Sequence, residues 1–308
     1  MPETVTLHST RCAICNTEDH ATEIYPASFD VQAFNPNVFS ARRLPDRIHY
    51  RMVKCSHCGL VRSDPVAPPE VMAQLYKNSS FDYADEVENL KFTYGRYLSK
   101  LSDYGVRKGA LLEVGCGNGF FLEEALRQGY TTVRGVEPSR AAVAGANSEV
   151  RPHIVYDVMR SGLFEPDQFD VICMFQVFDH IPDPRALLEE CLRVLKPGGL
   201  MLVLNHNIEA VSARLLKERS PIIDIEHTYL YSPATIARIF TAHGFQIRRV
   251  GSVTNNYTFY YLARLTPFPA SLKQSLLALL KGNPIGRLRV KVPLGNLYLI
   301  AQKPVDEH

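Results

Sequence analysis

The 308-residue chain has little net charge and no long apolar run. Lys and Arg number 34 and Asp and Glu number 32, a balance of +2 that lacks the electrostatic footprint of a nucleic-acid-binding protein. No apolar run reaches membrane-spanning length. The first ten residues, MPETVTLHST, lack the basic and apolar segments of a secretory signal. We therefore expect a cytoplasmic protein that binds no membrane and, on charge alone, not nucleic acid; its oligomeric state stays open.

Four of the seven cysteines form two C-x-x-C pairs, CAIC and CSHCG, with 39 residues between the pairs. Two such turns can supply four thiolates to a tetrahedral zinc ion from opposite sides. Two disulfides or a redox C-x-x-C are the alternatives, and a reducing compartment and the presence of two pairs argue against both. We therefore predict a closed, structural zinc site without zinc catalysis, in which His57 is a bystander. Its ligands are Cys12, Cys15, Cys55 and Cys58.

The remaining cysteines, Cys116, Cys173 and Cys191, lie singly in apolar stretches and are expected in the core. Hydrophobic residues make up 46% of the chain, enough for a sizeable core.

We predict a zinc-binding module over residues 1–65, then a linker and a lid or packing helix over residues 66–104. Residues 62–82 carry RSDPVAPPEV and are expected to be loop-rich, whereas ENLKFTYGRYLSKL has apolar residues at helical spacing.

From residue 110 strand and helix patterns alternate, which predicts a parallel sheet covered on both faces. The apolar strand ALLEV (110–114) runs into GCGNG and then into a helix. The glycines let the backbone turn sharply and approach a ligand closely. A second strand, TTVRGVE (131–137), ends in Glu137, 18 residues after Gly119. An acid at that position can bind both ribose hydroxyls of a nucleoside cofactor.

The residue before this loop discriminates between nucleoside cofactors. Dinucleotide sites use G-x-G-x-x-G, whereas this loop is G-x-G-x-G and follows Glu113. A carboxylate there suits a cofactor with an ammonium group better than one with a pyrophosphate. A hydride-transferring dehydrogenase is therefore disfavoured.

Four successive stretches, LLEVGCGNGFFL, GVEPS, FDVICMFQVFDHIPDP and LRVLKPGGLMLVL, resemble the motifs of the class I S-adenosylmethionine-dependent methyltransferases in order and spacing. The resemblance covers about residues 105–250, with a last strand at 296–303. It implies an α/β, Rossmann-like sheet of seven strands with the last strand antiparallel. We expect this domain to span residues 105–308, with 252–293 as a helical insertion or a substrate-side cap.

The resemblance also implies a cofactor, S-adenosylmethionine, and roles for individual residues. Asp179–His180 stands where the family often has Glu–His, at the floor of the pocket, with helix capping and packing as the alternative role. The resemblance assigns the methionine part of the cofactor to Glu113 and to the loop residues Gly115, Cys116, Gly117, Asn118 and Gly119. It assigns the ribose to Glu137, with Pro138 beside it, and the adenine amino group to Asp157. It places the sulfonium centre beside Phe175 and Gln176.

The loop after the fifth strand, residues 205–232, leaves from the carboxyl edge of the sheet, where ligands bind in such folds. It contains DIEHTYLYS and ends at Ser232, a predicted helix cap before Pro233. The cysteine-rich segment and the E-H-x-x-Y-x-S stretch together resemble the nucleotide-sugar C-methyltransferases. That resemblance implicates Glu226 and His227 in deprotonating the acceptor. It also makes SSFDYADE (79–86), with Tyr83, similar to a lid over the cofactor.

Two departures from that family are visible. It has tyrosine where Asp224 stands, and it carries a large second α/β domain where about 60 residues follow position 250 here. We expect a methyltransferase acting on a small polar metabolite, such as a nucleotide-sugar. His227 is the candidate base, and His180, Glu226 and Tyr83 are further catalytic candidates. The alternatives are an RNA methyltransferase whose zinc module binds RNA, and a non-catalytic cofactor-binding scaffold.

Overall fold

A seven-stranded mixed sheet lies at the centre of the molecule. The computed structural model describes residues 5–30, 48–77, 87–265, 269–293 and 295–305. The strands are β1 (Ala21–Tyr25), β2 (Met52–Cys55), β3 (Val61–Ser63), β4 (Ala110–Val114), β5 (Thr132–Val136), β6 (Ile154–Val155), β7 (Phe169–Phe175), β8 (Leu195–His206), β9 (Tyr229–Leu230), β10 (Gln246–Ser252), β11 (Asn255–Thr258), β12 (Arg289–Val292) and β13 (Asn296–Gln302). The helices are α1 (Pro69–Lys77), α2 (Val87–Ser99), α3 (Phe120–Arg127), α4 (Arg140–Ala144), α5 (Pro184–Val194), α6 (Val211–Leu216), α7 (Pro233–Ala242), α8 (Phe259–Leu265), α9 (Ala270–Leu280) and α10 (Pro284–Arg287).

The strand order of the central sheet is β10-β13-β8-β7-β4-β5-β6. The strands from β8 to β6 run parallel, whereas β13 is antiparallel to both of its neighbours. The prediction of a seven-stranded α/β sheet with an antiparallel last strand is thus confirmed. Because β7 and β4 are central and parallel, the loops after them meet at one edge of the sheet.

Helices cover both faces of this sheet, and a hydrophobic core lies on each face. On one face α2 and α3 pack through residues that include Tyr97, Leu98 and Phe121. On the other face α5 and α7 pack through residues that include Leu188 and Ile239. Strand β7 is buried along its whole length, as a strand covered on both faces requires. Cys116, Cys173 and Cys191 are buried as expected.

Helices α5 and α7 begin at caps that the sequence predicts. The Asp183 side chain accepts a hydrogen bond from Ala186 N at the start of α5, and Pro184 occupies the first helical position. Ser232 and Thr235 form reciprocal side-chain to backbone hydrogen bonds at the start of α7. These caps fix where the preceding loops end, and therefore where their polar side chains emerge.

A second, four-stranded antiparallel sheet has the order β1-β2-β3-β9. Its fourth strand, β9, belongs to the loop after β8. Cys12, Cys55 and Leu60 lie in the same buried cluster as Phe178 and Tyr231 of the larger domain. The amino-terminal segment and the central sheet therefore share one hydrophobic core across the predicted boundary at residue 65.

The structure differs from the loop-rich expectation for residues 62–82. Strand β3 reaches into this stretch and α1 fills residues 69–77. One of the three prolines that suggested a loop opens the helix, because Pro69 stands at its first position, where a missing N–H costs nothing. Between β10 and β13 the chain forms β11, α8, α9, α10 and β12, and β11 pairs with β12 in an antiparallel two-stranded sheet.

We expect Leu60→Ala to lower the free energy of unfolding of the whole chain by about 2–5 kcal/mol, because Leu60 is fully buried in the shared core. Leu215, which is 77% exposed, is the matched control, and Leu215→Ala should change stability by less than about 0.5 kcal/mol. Denaturant unfolding followed by far-UV circular dichroism measures both. An early, separate transition of the amino-terminal segment would contradict a shared core.

Candidate active site

The loop between β4 and α3 is shaped by three left-handed glycines. Gly115, Gly117 and Gly119 have φ values of 72°, 54° and 74°. A Cβ at Gly115 would lie 2.4 Å from Val177 Cγ2, so glycine is required there for space as well as for conformation. The loop thereby passes directly beneath the chain that follows β7.

Glu113, at the end of β4, is a buried carboxyl group that lacks a partner. It is 3% exposed, and its Oε2 has no hydrogen-bond partner among the described residues. Burial, and secondarily the charge of Glu137, raises the pKa of Glu113 well above its usual range. Two amide oxygens, Asn118 Oδ1 and Gln176 Oε1, are also buried without a partner. Unsatisfied buried acceptors are costly, so their grouping indicates a site for a ligand that donates hydrogen bonds or carries positive charge.

Glu137 ties the glycine loop to the end of β5. Its carboxylate accepts hydrogen bonds from Gly117 N at 2.8 Å and from Ser139 N at 2.7 Å. Burial raises the pKa of Glu137, and these two backbone N–H groups oppose that rise. The residue predicted to hold a ribose thus also holds the loop in shape.

A cavity of about 1440 Å³ extends from this loop along the carboxyl ends of the strands. Phe175 and Gln176 border it at the end of β7, and the Phe175 ring stacks on Tyr94 of α2 with centroids 4.1 Å apart. Asp157 lies on the cavity wall with its carboxylate hydrogen-bonded to Arg160 Nε at 3.0 Å. Pro138 and Cys116 also border the cavity, and the Cys116 thiol packs against Gly135. The predicted cofactor residues thus border one space, except Asn118 and Gly119, which do not line it.

At the other end of this cavity, five titratable side chains meet. His180, His206, Glu226 and His227 border it, and Asp179 lies directly behind them. Asp179 Oδ2 is 2.5 Å from His206 Nδ1 and 3.8 Å from His227 Nε2. Its Oδ1 is 3.6 Å from His180 Nε2.

Burial and mutual charge govern this cluster. Burial alone would raise the pKa of Asp179, but positive charge on His206 and His180 holds it far below its usual range. Burial lowers the pKa of His180 and lowers that of His227 much further, against the opposing pull of Asp179. These shifts favour the ionised form of Asp179 and, most strongly, the neutral form of the His227 imidazole.

Glu226 and His227, neighbours in the sequence, have different partners. Glu226 Oε2 lies 4.0 Å from His180 Nδ1, whereas His227 points its Nε2 toward Asp179. The rings of His180 and His227 lie 4.7 Å apart. Both sequence-predicted histidines thus lie at one site. Tyr83, the predicted lid residue, falls outside the described residues.

Sequence reasoning missed the pairing of Asp179 with His206 and the ring of Tyr94. Asp179 follows β7 and His206 ends β8, and these parallel neighbours bring their carboxyl ends together. That adjacency was available as a signal once the two strands were assigned. Tyr94 carried no signal beyond the apolar stripe of α2.

The main chain of the loop between β8 and α7 is held by hydrogen bonds from two sides. The main-chain oxygen of Asp179 accepts hydrogen bonds from Thr228 N at 2.9 Å and Tyr229 N at 3.1 Å. Ser63, in β3, donates from its hydroxyl to the main-chain oxygen of His227 at 2.8 Å. These contacts hold His227 between the central sheet and the amino-terminal segment.

The two C-x-x-C pairs come together as predicted. The four Sγ atoms of Cys12, Cys15, Cys55 and Cys58 all lie within 4.8 Å of one another, and all four cysteines are free thiols. The Cys12–Cys58 and Cys15–Cys55 sulfur distances are 3.4 and 4.0 Å. Sulfur ligands about 2.3 Å from a tetrahedral zinc ion lie at comparable separations, so the donor set fits such an ion.

Comparison with known families decides the class of this fold. A family model described as a methyltransferase domain matches residues 87–250, which is more than half of the chain. The chain belongs to this methyltransferase family. The expected S-adenosylmethionine-dependent methyltransferase is thereby confirmed at the level of the family.

Curated relatives of this methyltransferase include enzymes of quinone biosynthesis. A ubiquinone biosynthesis O-methyltransferase of Pseudomonas fluorescens is 33% identical over 117 residues, which cover 34% of this chain and 49% of that protein. One from Thiobacillus denitrificans is 27% identical over 192 residues, which cover 58% of this chain and 80% of that protein. The chain therefore spans about half the length of the first of these relatives, and neither name refers to a sugar.

Solved structures share the fold of the methyltransferase. A SAM-dependent methyltransferase from Archaeoglobus fulgidus has a TM-score of 0.51 at 17% identity, covering 73% of this chain and 100% of that chain. The [4+2]-cyclase SpnF has a TM-score of 0.50 at 19% identity, covering 78% of this chain and 98% of that chain. Because a cyclase uses the same architecture, the fold alone does not set the reaction. Within the described residues, no helix combines the length and apolar character that a membrane span needs.

We expect Gly115→Ala to weaken S-adenosylmethionine binding by about 10-fold or more, because the new methyl group meets Val177 and the left-handed backbone is strained. Gly105→Ala is the matched control: Gly105 has a similar φ of 70° but nothing within 4 Å of an added Cβ. It should cost about 1–2 kcal/mol of stability and leave cofactor affinity unchanged. Calorimetric titration measures the affinities, and equal values for the two variants would contradict the proposed contact.

Proposed function

We propose that this protein transfers the methyl group of S-adenosylmethionine to a small, polar acceptor that must lose a proton. The observation that carries the proposal is one continuous cavity with a buried, unpartnered Glu113 beside a glycine loop at one end and a histidine–carboxylate cluster at the other. A cation-bearing cofactor suits the first end. A proton acceptor suits the second.

The residues around the glycine loop fit the cofactor. Glu113 would bind the ammonium of the methionine part, which compensates a buried carboxylate that otherwise has no partner. Glu137 would bind the ribose and Asp157 the adenine amino group, while Phe175 and Gln176 border the sulfonium centre. The bound cofactor supplies a methyl carbon that its positive sulfur activates for in-line displacement.

The protein's own contribution is alignment of the acceptor and removal of its proton. We assign the removal of the acceptor's proton to His180, with Glu226 orienting the imidazole from the other side. The His180 side chain is 18% exposed to the cavity and that of His227 is 8% exposed, which supports His180 as the group an acceptor reaches. His227 then positions Asp179 and the loop. As the acceptor atom bonds to the methyl carbon, the carbon–sulfur bond breaks and the acceptor's proton passes to His180.

Two acceptor classes have specific support. The cysteine-rich segment with E-H-x-x-Y-x-S favours a nucleotide-sugar, methylated at carbon or oxygen. The ubiquinone biosynthesis O-methyltransferases among the relatives favour methylation at an acceptor oxygen. A tritiated-methyl assay over nucleotide-sugars, catechols and other phenols, and RNA tests the proposal. Transfer to RNA alone would overturn it, as would the absence of transfer by protein that binds the cofactor.

We also propose that Cys12, Cys15, Cys55 and Cys58 hold a structural zinc ion. Four thiolates leave no open coordination position, so the ion would supply folding energy rather than chemistry. Strand β3 follows the second pair directly and contacts β9, so the ion would stabilise the segment that holds His227.

Glu113→Gln should weaken S-adenosylmethionine binding about 100-fold, because a buried ion pair with the ammonium is lost. In the wild type, burial keeps the free-state pKa of Glu113 high, and a bound ammonium favours the carboxylate. Cofactor binding should therefore release a proton. Affinity should rise with pH up to the free-state pKa, because the protonated form must first ionise.

Calorimetry in two buffers of different ionisation enthalpy measures the released protons. Glu113→Gln should abolish the release, and Glu88→Gln, at an exposed position on α2, should keep it. Proton release that persists in Glu113→Gln would remove Glu113 from the cofactor site.

His180→Gln should lower kcat about 100-fold or more while leaving cofactor affinity within about 2-fold of the wild type, because the base acts on the acceptor. His153→Gln is the matched control, since His153 immediately precedes β6, does not line the cavity and contacts Arg134. Single-turnover methyl transfer separates the chemical step from binding. Full activity in His180→Gln, with a defect in His227→Gln, would transfer the base assignment to His227.

A further inference from the structure

Three side chains at the floor of the acceptor end bring together one set of metal-ligand atoms. A carboxylate oxygen of Asp179 and one ring nitrogen each of His206 and His227 all lie within 4.8 Å of one another. They come from three separate places in the fold: the turn after β7, the end of β8 and the residue pair before β9. This group is distinct from the four-cysteine cluster, which lies in the amino-terminal segment.

The distances are close to those of a shared cation. Asp179 Oδ2 lies 2.5 Å from His206 Nδ1 and 3.8 Å from His227 Nε2. Ligand atoms about 2.0–2.2 Å from one ion are separated by about 3 Å or slightly more. One distance is below this value and one is above it, so the side chains must move apart at His206 and together at His227 for one ion to bind all three.

Hydrogen bonding within the protein leaves this group incomplete. Asp179 is fully buried, yet its Oδ1 accepts no hydrogen bond from the residues that the structure describes. Among the described residues, the cationic groups within ion-pair distance of Asp179 are all histidines. A buried carboxylate with one unsatisfied oxygen and no Lys or Arg partner is costly, and a cation would compensate it.

The main chain of the site is rigidly held. The Asp179 carbonyl accepts hydrogen bonds from Thr228 N and Tyr229 N, and Ser63 fixes the carbonyl of His227. Two of the three ligand-bearing residues are therefore fixed relative to each other by hydrogen bonds that do not involve the ligand atoms.

We propose that Asp179, His206 and His227 form a binding site for one divalent transition-metal cation at the floor of the acceptor cavity. Two imidazole nitrogens with one carboxylate select cations such as Fe²⁺, Co²⁺ or Zn²⁺ over Mg²⁺, which prefers oxygen ligands. Three protein ligands leave coordination positions open, and His206 and His227 border the cavity from which an acceptor would reach them.

A role in catalysis rests on the proposed function. The ion would lower the pKa of a bound acceptor hydroxyl, so its proton would leave more readily to His180 while its oxygen bonds to the methyl carbon and the carbon–sulfur bond breaks. Glu226, on the far side of His180, would stay free of the ion and orient the imidazole. The ion would then bind the acceptor, whereas Glu113 and the glycine loop bind the cofactor.

Co²⁺ titration of the full-length, tag-free protein tests the site. Cobalt bound by nitrogen and oxygen gives weak d–d absorption, whereas cobalt bound by four thiolates adds intense sulfur-to-metal charge transfer. We expect one equivalent of Co²⁺ to give the first kind of spectrum. Asp179→Asn and His206→Gln should each weaken this binding by roughly 100-fold or more, since even indirect ligand changes cost 10- to 100-fold.

His8→Gln, at an exposed histidine near the amino terminus, is the matched control and should bind Co²⁺ as the wild type does. Cofactor affinity, measured in the same samples, shows whether each variant is folded. The proposal is overturned if the wild type shows no thiolate-free cobalt spectrum, or if the spectrum persists unchanged in folded Asp179→Asn and His206→Gln. Methyl transfer that continues without this spectrum would overturn the metal site alone, whereas cobalt binding without methyl transfer would overturn only the proposed function.

Discussion

The hydrogen bonds of Asp179 hold the acceptor end of the site together. Its main-chain oxygen accepts the N–H groups of Thr228 and Tyr229, and its carboxylate contacts His206. Asp179, in the turn after β7, thus joins the end of β8 to a loop more than 40 positions further along the chain. Because Asp179 is buried, water does not compete for these bonds, and the loop geometry follows from the sheet.

The amino-terminal segment acts on the same loop from outside. Strand β9 completes the β1-β2-β3 sheet, so the backbone around His227 is bonded on one side to Asp179 and on the other to Ser63. A cysteine cluster that would look remote in the sequence is in this way part of the support of the acceptor site. This arrangement explains why the cysteine cluster and the central domain share a core rather than meeting across a polar interface.

The two ends of the cavity differ in how the protein treats buried charge. At the cofactor end, Glu113 is isolated and its pKa rises, so an incoming cation is needed to favour the charged form. In the histidine cluster, positive charge on neighbouring histidines holds the pKa of Asp179 far below its usual range, while burial lowers the pKa values of His180 and His227. Two buried carboxyl groups therefore have opposite pKa shifts, upward at Glu113 and downward at Asp179 beside its histidines.

The sequence by itself determined the elements whose signals are local. The glycine loop after ALLEV, the caps at Asp183 and Ser232 and the apolar stripe of α2 depend on residues within a few positions of one another, so pattern and spacing sufficed. Sequence also brought His180, Glu226 and His227 to one edge, because parallel strands present their carboxyl ends together.

The tertiary structure decided the contacts between distant segments. In the folded chain, the carboxylate of Glu226 lies near His180 rather than His227, and Asp179 contacts His206. Ser63 donates a hydrogen bond to the main-chain oxygen of His227. The tertiary structure also turned the proline-rich stretch after β3 into a helix. Neighbours on a loop need not face each other, and side-chain direction there depends on packing against strands that are remote in sequence. Local motifs thus determine which residue types the site contains, whereas the tertiary fold determines which of their side chains contact one another.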